Sequence, residues 1–168
     1  TGLSLDSRQS DRALTDILKA FGADIKCGSS VSVCKSELSG ITVDISQCPD
    51  LFPTLAVTAC AAHGDTVFTN AARLRIKESD RIESVEKMIT SLGGSAESTP
   101  DSLTVHGTGT LAGGEVNSFN DHRIVMAAAV AACICESPVI IRDAQAVNKS
   151  YPDFFEDYKK LGGKADVI

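Results

Sequence analysis

The sequence predicts an α/β domain made of repeated helix-strand-helix-strand-strand units of roughly 70 residues, with buried central helices and with sheets and amphipathic helices around them. Three observations lead there. Similar segments recur: "SDRALTDILKAFGADI" from Ser10, "SDRIESVEKMITSLGGSA" from Ser79 and "SYPDFFEDYKKLGGKA" from Ser150. A second series, "CPDLFPTLAVTACAAHGDTVFTNA" from Cys48 and "FNDHRIVMAAAVAACICESPVIIRDA" from Phe119, interleaves with the first at the same interval. The two series also differ in polarity. One is amphipathic, and the other is apolar on every face, as a helix at a protein centre must be.

Each element follows from its local pattern. The helix from Ser10 ends at Gly22, and its unit closes with the strands "ADIKCG" and "SVSVCKS". The apolar helix of the next unit covers Leu51 to Ala62, and the strand "DTVFTNA" follows it. From Asp80 to Leu92, Ile82, Val85, Met88, Ile89 and Leu92 share one face while Glu83, Glu86 and Lys87 take the other. That spacing predicts a surface helix packed on a sheet. Gly93-Gly94 stops it, as glycine does at helix C-termini. "GSAEST" and "SLTVHG" then form a hairpin with Asp101 and Ser102 in the turn. The last unit repeats the order: an apolar helix from His122 to Cys135, the strand "SPVIIRDA", and a final helix stopped by Gly162-Gly163. No Pro/Gly/Ser-rich linker interrupts the series, so residues 1–168 read as one domain. The opening "TGLSLDSRQSD" runs straight into a helix and the first unit lacks its apolar helix, which predicts a piece of a longer protein.

Composition narrows the function. With 43% hydrophobic residues, 23% charged residues and a net charge of −6, the chain has the make-up of a globular domain. It lacks the broad basic surface a nucleic-acid binder needs. The longest apolar run, Ile124 to Cys135, is too short to span a membrane. Six cysteines without a CxxC pair argue against zinc. They read as reduced thiols of a cytoplasmic protein, with Cys60, Cys133 and Cys135 as small core residues.

The chemistry-bearing residues gather at helix starts. In "RLRIKESDR", Asp80 reads as an N-cap with Glu83 as its capping-box partner, which puts Arg81 in the first turn. In "FNDHRIVMA", Asn120 or Asp121 caps, and His122 and Arg123 follow. A helix N-terminus already carries a partial positive charge, so a cation there is unfavourable by a few tenths to about 1 kcal/mol unless an anion joins it. The plainer reading is that these basic groups pair with Glu78, Asp80 or Asp121. Asp50, after Cys48-Pro49, reads equally well as an ordinary cap. Lys149 matches Glu78 in the repeat. Together Asp50, Lys77, Glu78, Arg81, His122, Arg123 and Lys149 form a candidate anion site. Its two carboxylates, Asp50 and Glu78, could move protons.

"PDLFPTLAVTACAAHGDTVFTN", "LRIKESDR", "NDHRIVMA" and "NKSYPDFFE" resemble the EPSP synthase (3-phosphoshikimate 1-carboxyvinyltransferase) family, in order and across essentially the whole chain. The resemblance implies the C-terminal portion of a two-domain cytoplasmic enzyme, monomeric when complete and without metal or organic cofactor. It implies phosphoenolpyruvate and shikimate 3-phosphate as substrates, bound in a cleft whose other wall is the N-terminal part of the same enzyme. By resemblance, Asp50 holds the shikimate 5-hydroxyl and is a candidate base. Glu78 passes a proton to and from the methylene carbon, and Lys77 stands beside the hydroxyl. Arg81 and Arg123 clamp phosphoenolpyruvate, Lys149 closes on it, and His122 is a neighbour. Arg73 stands where many members have asparagine. The alternatives are UDP-N-acetylglucosamine enolpyruvyl transferase, with the same fold and reaction type, and a non-catalytic anion-binding or structural module.

Overall fold

The computed structural model describes residues 7–28, 30–166 and 168; the opening "TGLSLD" lies outside them. Its elements run α1 (Leu14–Ala20), β1 (Asp24–Cys27), β2 (Val31–Cys34), β3 (Thr42–Asp44), α2 (Phe52–Ala61), β4 (His63–Thr69), α3 (Arg81–Ser91), β5 (Ser95–Ser98), β6 (Leu103–Thr108), β7 (Gly114–Asn117), α4 (His122–Ala131), β8 (Val139–Arg142) and α5 (Phe154–Lys160). The α/β repeat architecture is therefore present, with two strands that the sequence pattern does not predict. Both β3 and β7 are short, and each precedes an apolar helix.

Those two strands explain the sheets. β3 pairs in parallel with β4, matching Val43 to Phe68, and β7 pairs in parallel with β8, matching Val116 to Ile141. Each apolar helix is thus the crossover of a parallel pair. The central sheet has the order β3-β4-β6-β5, while β1-β2 and β7-β8 form separate two-stranded pieces.

The apolar helices are central, as their composition requires. In α2, Phe52, Leu55, Ala56 and Ala59 are wholly buried, and Phe52 meets Phe68 of β4 edge to face at 5.3 Å. Each large side chain of this kind contributes about 1.5–3 kcal/mol by leaving water. α2 packs against α4 and also lies on β6. That close approach depends on Gly107, where a Cβ would come within 2.2 Å of the Ala59 carbonyl oxygen. α3 buries Ile82, Val85, Met88, Ile89 and Leu92, and Glu83 and Lys87 stay exposed, as the spacing predicts. Gly93, at φ 82, ends it.

Some expectations need correction. Regular α-helix in α4 stops at Ala131, and a 3₁₀ turn covers Ala132–Ile134. Cys133 is exposed and Cys135 half-buried, so of the three cysteines assigned to the core only Cys60 belongs there; Cys48 is buried as well. Glu83 does not complete a capping box, because its carboxylate pairs with Lys87. In the first unit no residue of α1 is buried, and Val33 of β2 is 61% exposed.

Candidate active site

The fold brings the starts of α2, α3 and α4 together. Their chemistry converges on Arg81, the first residue of α3, whose side chain is 1% exposed. Its guanidinium donates from Nε to Asp121 Oδ2 at 2.8 Å, from Nη1 to Asp50 Oδ1 at 2.8 Å and from Nη2 to Glu78 Oε2 at 2.6 Å. The anion that a cation in the first turn calls for is therefore supplied partly by the protein. Three carboxylates from three segments surround one planar fork, whose rigid geometry suits several acceptors at once.

Asp50 is not a cap. The 3₁₀ turn at Pro49–Leu51 has no side-chain cap, which leaves both Asp50 oxygens for cations. Oδ2 accepts from Arg123 Nη2 at 2.9 Å, the Asp50 carbonyl accepts from Arg123 Nη1 at 3.1 Å, and Lys77 Nζ lies 3.9 Å from Oδ1. Partial burial pushes the Asp50 carboxyl up. The charge of Arg123, the hydrogen bond and charge of Arg81, and Lys77 outweigh it and hold the group below the ordinary aspartate range.

Asp121 is the buried member. It caps α4 by accepting from the Arg123 backbone N–H at 2.9 Å, and it also accepts from Ser79 Oγ at 3.1 Å. Burial again acts upward and is again outweighed, first by the Arg81 hydrogen bond and then by the backbone N–H of Arg123, so its carboxyl is lowered. The same partners act on Arg81, where burial works against the charge but Asp121, Asp50 and Glu78 raise its affinity for the proton. Asp80 caps α3 as predicted, accepting from the Glu83 N–H at 3.1 Å. Arg75 fastens that start by donating to Asp80 at 2.8 Å and to the Pro100 carbonyl at 2.8 Å.

Of the seven candidates, Asp50, Lys77, Glu78, Arg81 and Arg123 form one connected cluster. Lys149 is exposed and joins at its margin, with Nζ donating to the Asn120 carbonyl just ahead of α4. His122 is 9% exposed; its Nδ1 has no hydrogen-bond partner and stands 3.9 Å from Asp121 Oδ1. Arg73 is exposed in the 3₁₀ turn Ala72–Ile76. The sequence offers Asp121 as a cap or as a partner of the basic groups, and it is both; it gives no role to Ser79. Asp121 stands in the repeat where Asp50 stands, and that match was the available signal.

Residues 1–158 match the family model of EPSP synthase (3-phosphoshikimate 1-carboxyvinyltransferase). A 3-phosphoshikimate 1-carboxyvinyltransferase of Clostridium novyi is 48% identical over 165 residues, covering 98% of this chain and 38% of the relative. One from Clostridioides difficile is 43% identical over 166 residues, covering 98% and 38%. An EPSP synthase structure from Acinetobacter baumannii superposes with a TM-score of 0.83 at 31% identity, over 90% of this chain and 39% of that one. The enolpyruvyl transferase NikO from Streptomyces tendae, at 20% identity and a TM-score of 0.73, shares the fold. The chain spans 38% of the Clostridium novyi relative's length. With a family model matched over nearly its whole length and the fold matched beside it, the chain belongs to the EPSP synthase (3-phosphoshikimate 1-carboxyvinyltransferase) family.

Proposed function

We infer that this chain is the C-terminal portion of an enzyme that moves the carboxyvinyl group of phosphoenolpyruvate to the 5-hydroxyl of shikimate 3-phosphate and releases phosphate. The observation that carries this reading is the convergence on Asp50. Arg81 and Arg123 stand far from it in the sequence, yet both hydrogen-bond it. The site thus holds a carboxylate and cations within one hydrogen-bond shell.

The roles follow from that arrangement. Asp50, kept ionised by its cations, accepts the hydroxyl proton as the oxygen bonds to the substituted vinyl carbon. Glu78 gives a proton to the methylene carbon and takes one back when the tetrahedral intermediate expels phosphate. Lys77 lies beside the hydroxyl. Arg81, Arg123 and Lys149 neutralise the carboxylate and phosphate of phosphoenolpyruvate, and fixed cations of this kind stabilise developing charge without reorganising. On binding, the substrate anion takes over donors that Asp50 holds here, which frees Asp50 for the hydroxyl. His122 is a neighbour of the cluster, beside Asp121. The remaining portion of the family's chain supplies the opposite wall, and we place the enzyme in the cytoplasm as a monomer when complete.

The test uses a family-length enzyme containing these residues. Glu78→Gln should lower kcat by about 10²–10⁴-fold, the usual contribution of a proton-transfer group. Arg123→Ala should chiefly raise KM for phosphoenolpyruvate. An unchanged kcat in the glutamine variant removes Glu78 from the mechanism.

A further inference from the structure

Lys77 and Glu78 reach the ion cluster from a segment without regular structure. Residues 77–79 belong to no helix or strand, so no ladder of backbone hydrogen bonds fixes them. Ile76, just ahead, is 84% exposed, and Lys77 and Glu78 are exposed as well. Yet Lys77 stands 3.9 Å from Asp50, Glu78 accepts from Arg81, and Ser79 donates to Asp121. Three consecutive side chains are thus aimed from a loop that water surrounds. Fixing the backbone of each such residue costs about 1–2 kcal/mol, so the loop needs an anchor of its own.

Arg75 supplies that anchor. It lies in the 3₁₀ turn Ala72–Ile76, and its Nη1 donates to Asp80 Oδ2 at 2.8 Å, which closes the base of the loop. Its other donors leave the loop altogether. Nε donates to the Pro100 carbonyl at 2.8 Å and Nη2 to the Thr99 carbonyl at 2.5 Å. Both carbonyls belong to the turn between β5 and β6. That turn is itself closed, by the Thr99 N–H on the Ser102 carbonyl at 3.0 Å and by the two hydroxyls of Thr99 and Ser102 at 2.6 Å. It also accepts the Ala71 N–H through the Asp101 carbonyl at 2.7 Å, and Leu74 is buried between these ties. A guanidinium is a rigid planar fork, so three acceptors fix both its place and its orientation. All three lie outside the group Asp50, Glu78 and Asp121, so Arg75 spends its donors on the scaffold and none on the cluster.

We propose that Arg75 is a positioning residue for the reaction: it ties the loop 76–79 to the β5–β6 turn and thereby sets Glu78, with Lys77 beside it, against the substrate. The inference rests on reading Glu78 as the proton-transfer group. Arg75 itself touches neither substrate nor reacting atom and acts through Glu78. Its charge alone is not enough, because the pair with Asp80 closes the loop but does not place it; the two carbonyl bonds do that. The turn between β5 and β6, far from the loop in sequence, is then the surface on which the loop is registered.

Kinetics and NMR relaxation test it. In a family-length enzyme containing these residues, Arg75→Ala should lower kcat by about 10²-fold, the effect of moving a reacting group by about 1 Å. KM for phosphoenolpyruvate should stay within about three-fold, because Arg123 and Lys149 are untouched. In a Glu78→Gln background the same change should cost less than about two-fold more, since residues that act as one unit are not additive. Arg75→Lys keeps a charge beside Asp80 and should keep the melting temperature. An ammonium cannot hold three acceptors in one plane, so kcat should still be low. The proposal is overturned if either Arg75 variant has the parent's kcat, or if the loss is as large in the glutamine background as outside it. In the 168-residue chain, amides 77–79 should lose order on the picosecond-to-nanosecond timescale in Arg75→Ala while amides 85–91 keep theirs. Unchanged order at 77–79 also overturns it. If Glu78→Gln alone leaves kcat intact, the reaction role of Glu78 falls, and the relaxation measurement by itself decides whether Arg75 sets the loop.

Discussion

Arg81 and Asp121 show how one buried ion pair organises a site. A buried charge is tolerable only when its partners are well placed, and removing one partner costs about 3–5 kcal/mol because the other is left uncompensated. Asp121 is fully buried and holds Arg81 Nε, Ser79 and the first turn of α4. Asp121→Ala should therefore destabilise the chain by about that amount, read from urea unfolding. A loss below about 1 kcal/mol would mean that Arg81 is held by Asp50 and Glu78 alone. The pH dependence has a definite sign. The Asp121 and Asp50 carboxyls are lowered in the folded protein, so their stabilisation is complete above the ordinary aspartate value, about 3.9. It is lost as pH falls through the lower folded values. Melting temperature should fall steeply below about pH 4, and Asp121→Asn, less stable at neutral pH, should show a flatter acid limb. The sequence showed which residues crowd the helix starts. It did not show that carboxylates from other segments would answer them, because pairing across α2, α3 and α4 is a property of the fold.

At the scale of elements, legibility tracked length and period. α3 was read to within a residue of its ends, since its apolar face, N-cap and stop glycine all agree. β3 was missed, although Ile41, Val43 and Ile45 alternate, because three paired residues give little periodic signal. β7 hides Val116 behind Gly113 and Gly114, and only its pairing with β8 makes it a strand. Helix-sheet distance was also silent in the sequence. Gly107 sets it, since any Cβ there meets the Ala59 and Ala62 carbonyls at 2.2 and 2.3 Å. Gly107→Ala must push α2 off β6 and should cost about 1–3 kcal/mol as overpacking. Gly28→Ala, which meets nothing within 4 Å, should lie within about 0.5 kcal/mol of the parent. Equal melting temperatures for the two variants would show that α2 can shift without loss.

For the molecule as a whole, the balance of charge at the cluster decides what the chain does by itself. Lys77, Arg81 and Arg123 are matched by Asp50, Glu78 and Asp121, and only Lys149 at the margin tips the balance towards cation. An arriving phosphate meets donors already in use and, with Asp50 and Glu78 partly exposed, charges screened by water. Inorganic phosphate should therefore bind the 168-residue chain weakly, at about millimolar levels or above (about −4 kcal/mol or weaker), and lose affinity in high salt. Asp50→Asn removes one negative charge and loosens the hold on Arg81 Nη1 and Arg123 Nη2, the two donors bonded to its side chain. Phosphate should then bind at least about ten-fold tighter, a gain of 1.4 kcal/mol, read by NMR from amides 80–82 and 121–124. In a family-length enzyme the same change should lower turnover by about 10²–10⁴-fold, because the hydroxyl loses its proposed base. The opposite signs matter. A cluster that only fastened helix starts would gain no phosphate affinity from Asp50→Asn, and a purely anion-binding module would gain affinity with no turnover to lose. Phosphate shifts that scatter over the surface, or that are no larger in the asparagine variant, would leave the cluster as a structural fastening alone.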